Sequence, residues 1–232
     1  MVKIYYDFHI HSALSPCGDE DNTVNNIVNM SKLKGLDAIA IADHNSCLNC
    51  RAAVKAGQRE GLLVLPAMEL TTSEDIHVLF LFSEIESAED FSAYVDGRRM
   101  KIKNEPKIFG RQIIMDEYDA ETGEVENLLT VSSNIGVYET KALAEEYGGI
   151  AVPAHVDKQS NGLLGILGFY DESLGFSVVE CRREPGLGLP YITDSDAHYL
   201  GDISERENFL YAEAPEAAAI IEALRSGKFK LT

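Results

Sequence analysis

KIYYDFHIHS (3–12) is the stretch that decides how this chain is read. KIYYDFHI has the composition of a strand, and it runs directly into His9-Ile10-His11. On an extended segment residues two apart face the same way, so both imidazoles are offered to one first-row metal ion. The arrangement returns along the chain. AIADHN (40–45), LPAMELT (65–71), DIHVLFLF (75–82), AVPAHVDK (151–158) and ITDSDAHYL (192–200) each join an apolar run to a histidine or a carboxylate. All six histidines, His9, His11, His44, His77, His155 and His198, lie in these segments. One histidine beside an apolar run is ordinarily a satisfied core residue. Six in succession predict a metal centre assembled at the ends of different strands of a barrel-like α/β enzyme.

The acids support this. Asp196-Ala197-His198 repeats the same-face spacing with mixed ligands. Glu69 ends the apolar run LLVLPAMEL, where a carboxylate is costly unless its charge is compensated, and a metal ion supplies that compensation.

Between the ligand segments the chain alternates strands and helices. NNIVNMSKLKG (25–35) and RAAVKAGQREG (51–61) have helical spacing and stop at glycine. DAIAIAD, LLVLPAMEL and IHVLFLF read as strands, with Pro66 tolerated near an irregular end. SAEDFSAYVDGRRMK (87–101) begins with a serine and an acidic first turn. ETKALAEEYGG (139–149) reads as a helix, and GIAVPAH, FSVVEC, YITDSDAH and NFLYAEA (208–214) as strands. PEAAAIIEALRSG (215–227) is a last helix with Pro215 near its first turn. Periodicity fades over residues 103–127, which read as a long loop or hairpin inserted into the barrel and covering the site, with Lys107 and Arg111 its candidates for phosphate contact.

The ordered set HxH, DH, strand-terminal Glu, two single histidines and a closing DxH resembles the PHP (polymerase and histidinol phosphatase) superfamily, from about Tyr5 to about Leu200. The resemblance implies a distorted (β/α)7 barrel with two or three divalent metal ions, Zn, Mn or Fe, at the strand C-terminal ends. It implies that His9, His11 and Asp196 hold the first ion, that His77 and His155 hold the second with Glu69 bridging, and that His44 and His198 hold a third. The family pattern places a His or Asp eight positions after the first histidine, and this chain has Cys17 there. A thiolate suits Zn better than Mn. Asp19 or Asp21 is the stand-in if the loop bends back. Asp7 and Asp43 precede ligands and are expected to orient an imidazole.

Two such ions share a hydroxide formed at neutral pH and clamp a phosphoryl oxygen, which is phosphoester hydrolysis. His198 and Asp196 are the candidate catalytic residues, His198 or a bound water protonating the leaving group. Lys158, and after it Arg182 and Arg183, are the candidates for the substrate phosphate. The expected substrate is a small phosphate monoester, histidinol-phosphate-like or nucleotide. A phosphodiesterase or exonuclease acting at a 5′ end is the alternative. An amidohydrolase and a non-catalytic metal-stabilised module are further readings.

One domain spanning residues 1–232 is expected, since 232 residues with 45% hydrophobic content can bury a sizeable core. A formal charge of −18 predicts a small phosphorylated substrate and no duplex nucleic acid, because long phosphate tracks need clustered Lys and Arg. No apolar run is long enough for a membrane helix and MVKIYYDF lacks a signal-peptide core, so a cytoplasmic location is expected. Cys47 and Cys50 form one isolated CxxC, read as ordinary residues at a helix start.

Overall fold

The computed structural model describes residues 1–229. Its strands are β1 (Val2–Ile10), β2 (Ala38–Ile41), β3 (Leu63–Thr71), β4 (His77–Leu81), β5 (Ile113–Met115), β6 (Glu121–Glu124), β7 (Ile150–Pro153), β8 (Val179–Glu180), β9 (Tyr191–Ile192) and β10 (Phe209–Ala212). The helices are α1 (Val24–Leu33), α2 (Cys50–Glu60), α3 (Ile85–Arg98), α4 (Pro106–Phe109), α5 (Val137–Glu146), α6 (Leu163–Leu167) and α7 (Ala217–Ser226). Six strands form one curled sheet in the order β10-β1-β2-β3-β4-β7.

This is a mixed α/β fold, and it departs from a regular (β/α)7 barrel at β4. β1, β2 and β3 run parallel, but β4 is antiparallel to both β3 and β7. The reason is length. Residues 72–76 join β3 to β4, and a parallel crossover needs about a dozen residues or more. The chain therefore turns back, and Thr71 pairs with His77. His77 thus begins its strand rather than ending it, while still lying at the edge where β1, β2, β3 and β7 end.

Pro66 sits inside β3, not at an irregular end. Residues 63–66 pair with β2 and residues 67–71 with β4, so the proline stands where the strand changes partner. YITDSDAH is strand only at Tyr191–Ile192, and FSVVEC only at Val179–Glu180; these two short strands pair parallel to each other.

Helix ends follow the local chemistry. Thr23 caps α1 by accepting from the Asn26 N–H, and Gly61, at φ 72°, closes α2 in the left-handed conformation. One face of β1 sends Ile4, Tyr6 and Phe8 into a core shared with α7, and Phe80, Phe82 and Phe91 stack in another between β4 and α3.

Residues 103–127 form α4 and the β5–β6 hairpin, closed at the base by pairing of Lys103 with Asn127. The buried Asn49 fastens this segment to the ligand loop. Its Nδ2 donates to Ser12 Oγ and the Ile113 carbonyl, both at 3.0 Å, and its Oδ1 accepts from Met115 N–H at 2.9 Å. Asn49→Ala removes all three bonds and leaves buried groups unpaired, an expected loss of about 2–3 kcal/mol in urea unfolding. Hydrogen exchange at Ile113–Met115 should rise with it; unchanged protection would mean the hairpin is held elsewhere.

Candidate metal centre

Glu69, 1% exposed at the end of β3, lies within ion-pair reach of five imidazoles. Its oxygens are 3.3 Å from His9 Nε2, 3.5 Å from His11 Nε2, 3.0 Å from His44 Nδ1, 2.8 Å from His77 Nδ1 and 3.0 Å from His155 Nε2. Asp196 Oδ1 stands 3.2 Å from His11 Nε2 and 3.5 Å from His9 Nε2. His198, its Nδ1–H donating to the Asp196 carbonyl at 2.8 Å, stacks near His11. All six histidines, Glu69 and Asp196 are thus brought together. Asn45, His155 and Asp196 have positive φ (49°, 31° and 54°), so the backbone is held in an uncommon conformation at three points of the site.

The imidazoles are fixed from behind. Ser15 Oγ–H donates to Asp43 at 2.7 Å, so its oxygen can only accept from His11 Nδ1–H at 3.0 Å. That leaves the His11 Nε2 lone pair facing the oxygens of Asp196 and Glu69. Three lone pairs converging with no proton between them make a place for a cation. His9 Nε2, His44 Nδ1 and Glu69 Oε2 are also buried without a hydrogen-bond partner. Three groups have ligand atoms within 4.8 Å of one another: His9, His11, Glu69 and Asp196; His44, Glu69 and His77; and His11, His44 and His198. The donor set fits divalent ions.

Neither Asp7 nor Asp43 hydrogen-bonds an imidazole directly. Asp43 accepts from Ser12 and Ser15, reaching His11 through a serine, and Asp7 accepts the N–H groups of Ser195 and Ser204. The carboxylate that orients a ligand directly is Glu180. Its Oε2 accepts from His9 Nδ1–H at 2.7 Å, leaving Nε2 to the site. Glu180 ends the apolar run of FSVVEC as Glu69 ends LLVLPAMEL, and that shared signal was available in the sequence.

Burial opposes the Glu69 charge, but His77, His9 and His44 outweigh it and hold the carboxyl well below the usual range. Burial, helped by the charges of His44 and His9, pushes His11 down to about 3 against the pull of Asp196 and Glu69, which keeps its imidazole neutral. His44 is pulled down by burial but raised further by Glu69 and Cys17, reaching about 10. At Cys17 burial raises the thiol, but the neighbouring His198 and His44 bring it down to about 7. Neither Asp19 nor Asp21 lines the cavity.

The cavity beside the cluster, of about 350 Å³, is lined by Cys17, the candidate ligands His44, Glu69, His77, His155, Asp196 and His198, and by Thr130, Lys158, Ser160 and Asn161. None of residues 103–127 lines it. Lys158 Nζ reaches Asp196 Oδ2, and Lys158 also lines an adjoining hollow of about 680 Å³ with Arg182 and Arg183. The two arginines keep their side chains exposed while their N–H groups face Asp157. Arg111 is neutralised by Glu20, Glu121 and Glu124 and is no free phosphate contact.

A carboxylate-centred cluster of histidines in a curled α/β sheet defines a site able to hold divalent metal ions. Residues 7–157 match the PHP domain, and the chain belongs to that family. The protein YqxK of Bacillus subtilis (strain 168), whose function is uncharacterised, is 24% identical over 97% of this chain and 62% of its own length. The lesion-specific endonuclease PfuEndoQ of Pyrococcus furiosus superposes with a TM-score of 0.72 at 17% identity, over 99% of this chain and 57% of that one. An endonuclease Q bound to a 27-mer duplex with an abasic lesion at its active site gives 0.71 at 16% identity, over 99% of this chain and 58% of that one. A protein assigned as a metal-dependent phosphoesterase from Bifidobacterium adolescentis gives 0.61 at 19% identity, over 88% and 91%. The chain spans about three fifths of the length of YqxK and of the endonuclease Q chains.

These likenesses correct one expectation. A net charge of −18 does not exclude duplex nucleic acid, because this fold is the one a duplex-binding endonuclease carries. Net charge is a whole-chain sum, whereas the field at a cleft is local. No helix among the described residues is long and apolar enough to cross a membrane.

Two outcomes test the centre. Cobalt(II) titration should produce a thiolate-to-cobalt absorption band that Cys17→Asp loses while still binding cobalt; a band that survives removes Cys17 from the centre. A ligand histidine must shed its proton, so with His44 at about 10, zinc loading at pH 8 should release at least one proton per chain. The His44 proton is already gone above its pKa, so the release should shrink as pH rises through 10. Calorimetry in two buffers of different ionisation enthalpy reads it directly.

Proposed function

We propose that this chain is a metal-dependent phosphodiesterase acting on a nucleic-acid strand, in preference to an enzyme for a small phosphate monoester. The observation that carries this reading is the hollow of Lys158, Arg182 and Arg183 continuing outward from the ligand cavity. A monoester needs one phosphate position. A strand presents its next phosphate a few ångströms on, where the paired arginines offer bidentate donors.

His9, His11 and Asp196 would hold one divalent ion and His77 and His155 a second, with Glu69 shared; Cys17, His44 and His198 would take a third. Zinc, manganese and iron all suit this donor set. Bound there, such ions supply Lewis acidity toward phosphoryl oxygens. Lys158 holds a non-bridging oxygen of the scissile phosphate. His198 keeps Nδ1–H on the Asp196 carbonyl, and in its imidazolium form it would give the Nε2 proton to the leaving oxygen when no third ion claims that nitrogen. Glu180 keeps the His9 ring from turning.

The test is cleavage of labelled single-stranded and abasic-site duplex oligonucleotides, beside histidinol phosphate and mononucleotides, with Zn, Mn or Fe and a chelator control. Chelator-sensitive strand cleavage is expected. Glu69→Ala and His77→Ala should lower it by about 10³-fold or more, with reduced metal content by mass spectrometry. Phosphate release from the monoesters alone would overturn the strand reading.

A further inference from the structure

The segment between Arg98 and Arg111 departs from the rest of the chain in charge. It holds six of the 20 basic residues and one, Glu105, of the 38 acidic ones. Four of the six are occupied. Arg98 bonds Asn134, Arg99 and Lys101 share Asp96, and Arg111 is held by its glutamates. Lys103 and Lys107 are exposed and, among the described residues, make no ion pair.

Apolar surface is exposed beside them. Ile108 is 73% and Phe109 47% exposed, on a helix of one turn that buries none of its residues. Single exposed apolar residues are ordinary, but a phenylalanine next to unpaired lysines in a chain this acidic is a specific combination.

The segment also has a fixed place. Gly110, at φ 101°, packs so closely on the ligand loop that a Cβ there would stand 2.0 Å from the Pro16 carbonyl oxygen. Cys17, the next residue, lines the metal cavity. Asn104 Nδ2 donates to the Gly110 carbonyl at 2.9 Å and closes the intervening loop. Phe109 is therefore one residue from a backbone contact that is itself one residue from the cavity wall.

We infer that Lys103, Lys107 and Phe109 form a contact surface for the nucleic-acid strand whose phosphodiester enters the metal cavity, the lysines pairing with phosphates and the Phe109 ring stacking on an unpaired base. The inference rests on the phosphodiesterase reading above. Charge complementarity selects this occupant, because unpaired lysines beside an aromatic face are the pairing that binds strands without reading sequence. Arg182 and Arg183 line the hollow that shares Lys158 with the cavity, a second basic edge next to the same site.

Fluorescence anisotropy with a short labelled single-stranded oligonucleotide, titrated in chelator so that nothing is cleaved, tests it. Lys103→Ala/Lys107→Ala should reduce the slope of log affinity against log salt by about two, one for each lost phosphate contact. Phe109→Ala should weaken binding about tenfold at fixed salt, and Phe109→Trp should restore it. All three side chains are exposed, and unchanged melting temperatures would show that the variants fold. An unchanged slope with unchanged affinity would overturn the inference, as would absence of strand binding by the unsubstituted protein. Failure of the phosphodiesterase reading would appear separately, as absence of metal-dependent cleavage by the unsubstituted chain.

Discussion

A carboxylate removed from water must be compensated, and Glu69 imposes that demand on the whole molecule. Five imidazoles answer it, delivered by β1, β2, β4 and the turn after β7. Each strand must end, or in one case begin, at the same edge of the sheet. The reversal of β4, the partner change at Pro66 and the left-handed backbone at His155 and Asp196 are local departures that serve this convergence. Around the imidazoles stands a further set of acids. Glu180 fixes His9, Asp43 fixes His11 through Ser15, and Asp7 pins the backbone that carries Asp196.

Much of this was legible in the chain because ligands at strand ends leave a repeated signature. Apolar runs ending in a histidine or an acid, or in the case of His77 beginning at one, marked every segment that reaches Glu69. Strand direction was not legible, since period-2 alternation is the same read either way. The reversal at β4 shows only in the five residues of 72–76, too few for a crossover. Ser15 carried no signal, as a serine becomes a positioning group only when folding sets it between Asp43 and His11. Glu180 did carry one, and following the strand-terminal acid consistently would have found it. The long reading of YITDSDAH as strand failed because Asp194 and Asp196 serve the site through an irregular backbone rather than a ladder.

Composition misled where it was summed. A charge of −18 spread over 232 residues hides the six basic residues between Arg98 and Arg111, and hides Lys158, Arg182 and Arg183 around the cavity. Electrostatic steering depends on where charge lies. An acidic body with basic residues gathered at one cleft repels polyanions least at that cleft.

The β3–β4 turn also orders assembly in time. Glu69 and His77 are eight positions apart, whereas His155 lies 86 from Glu69 and Glu180 lies 171 from His9. Closing a short hairpin costs little chain entropy and is fast, while the longer closures wait for the rest of the sheet. The nascent chain thus owns a carboxylate–imidazole pair long before its last ligand is synthesised, a two-point anchor that later strands complete.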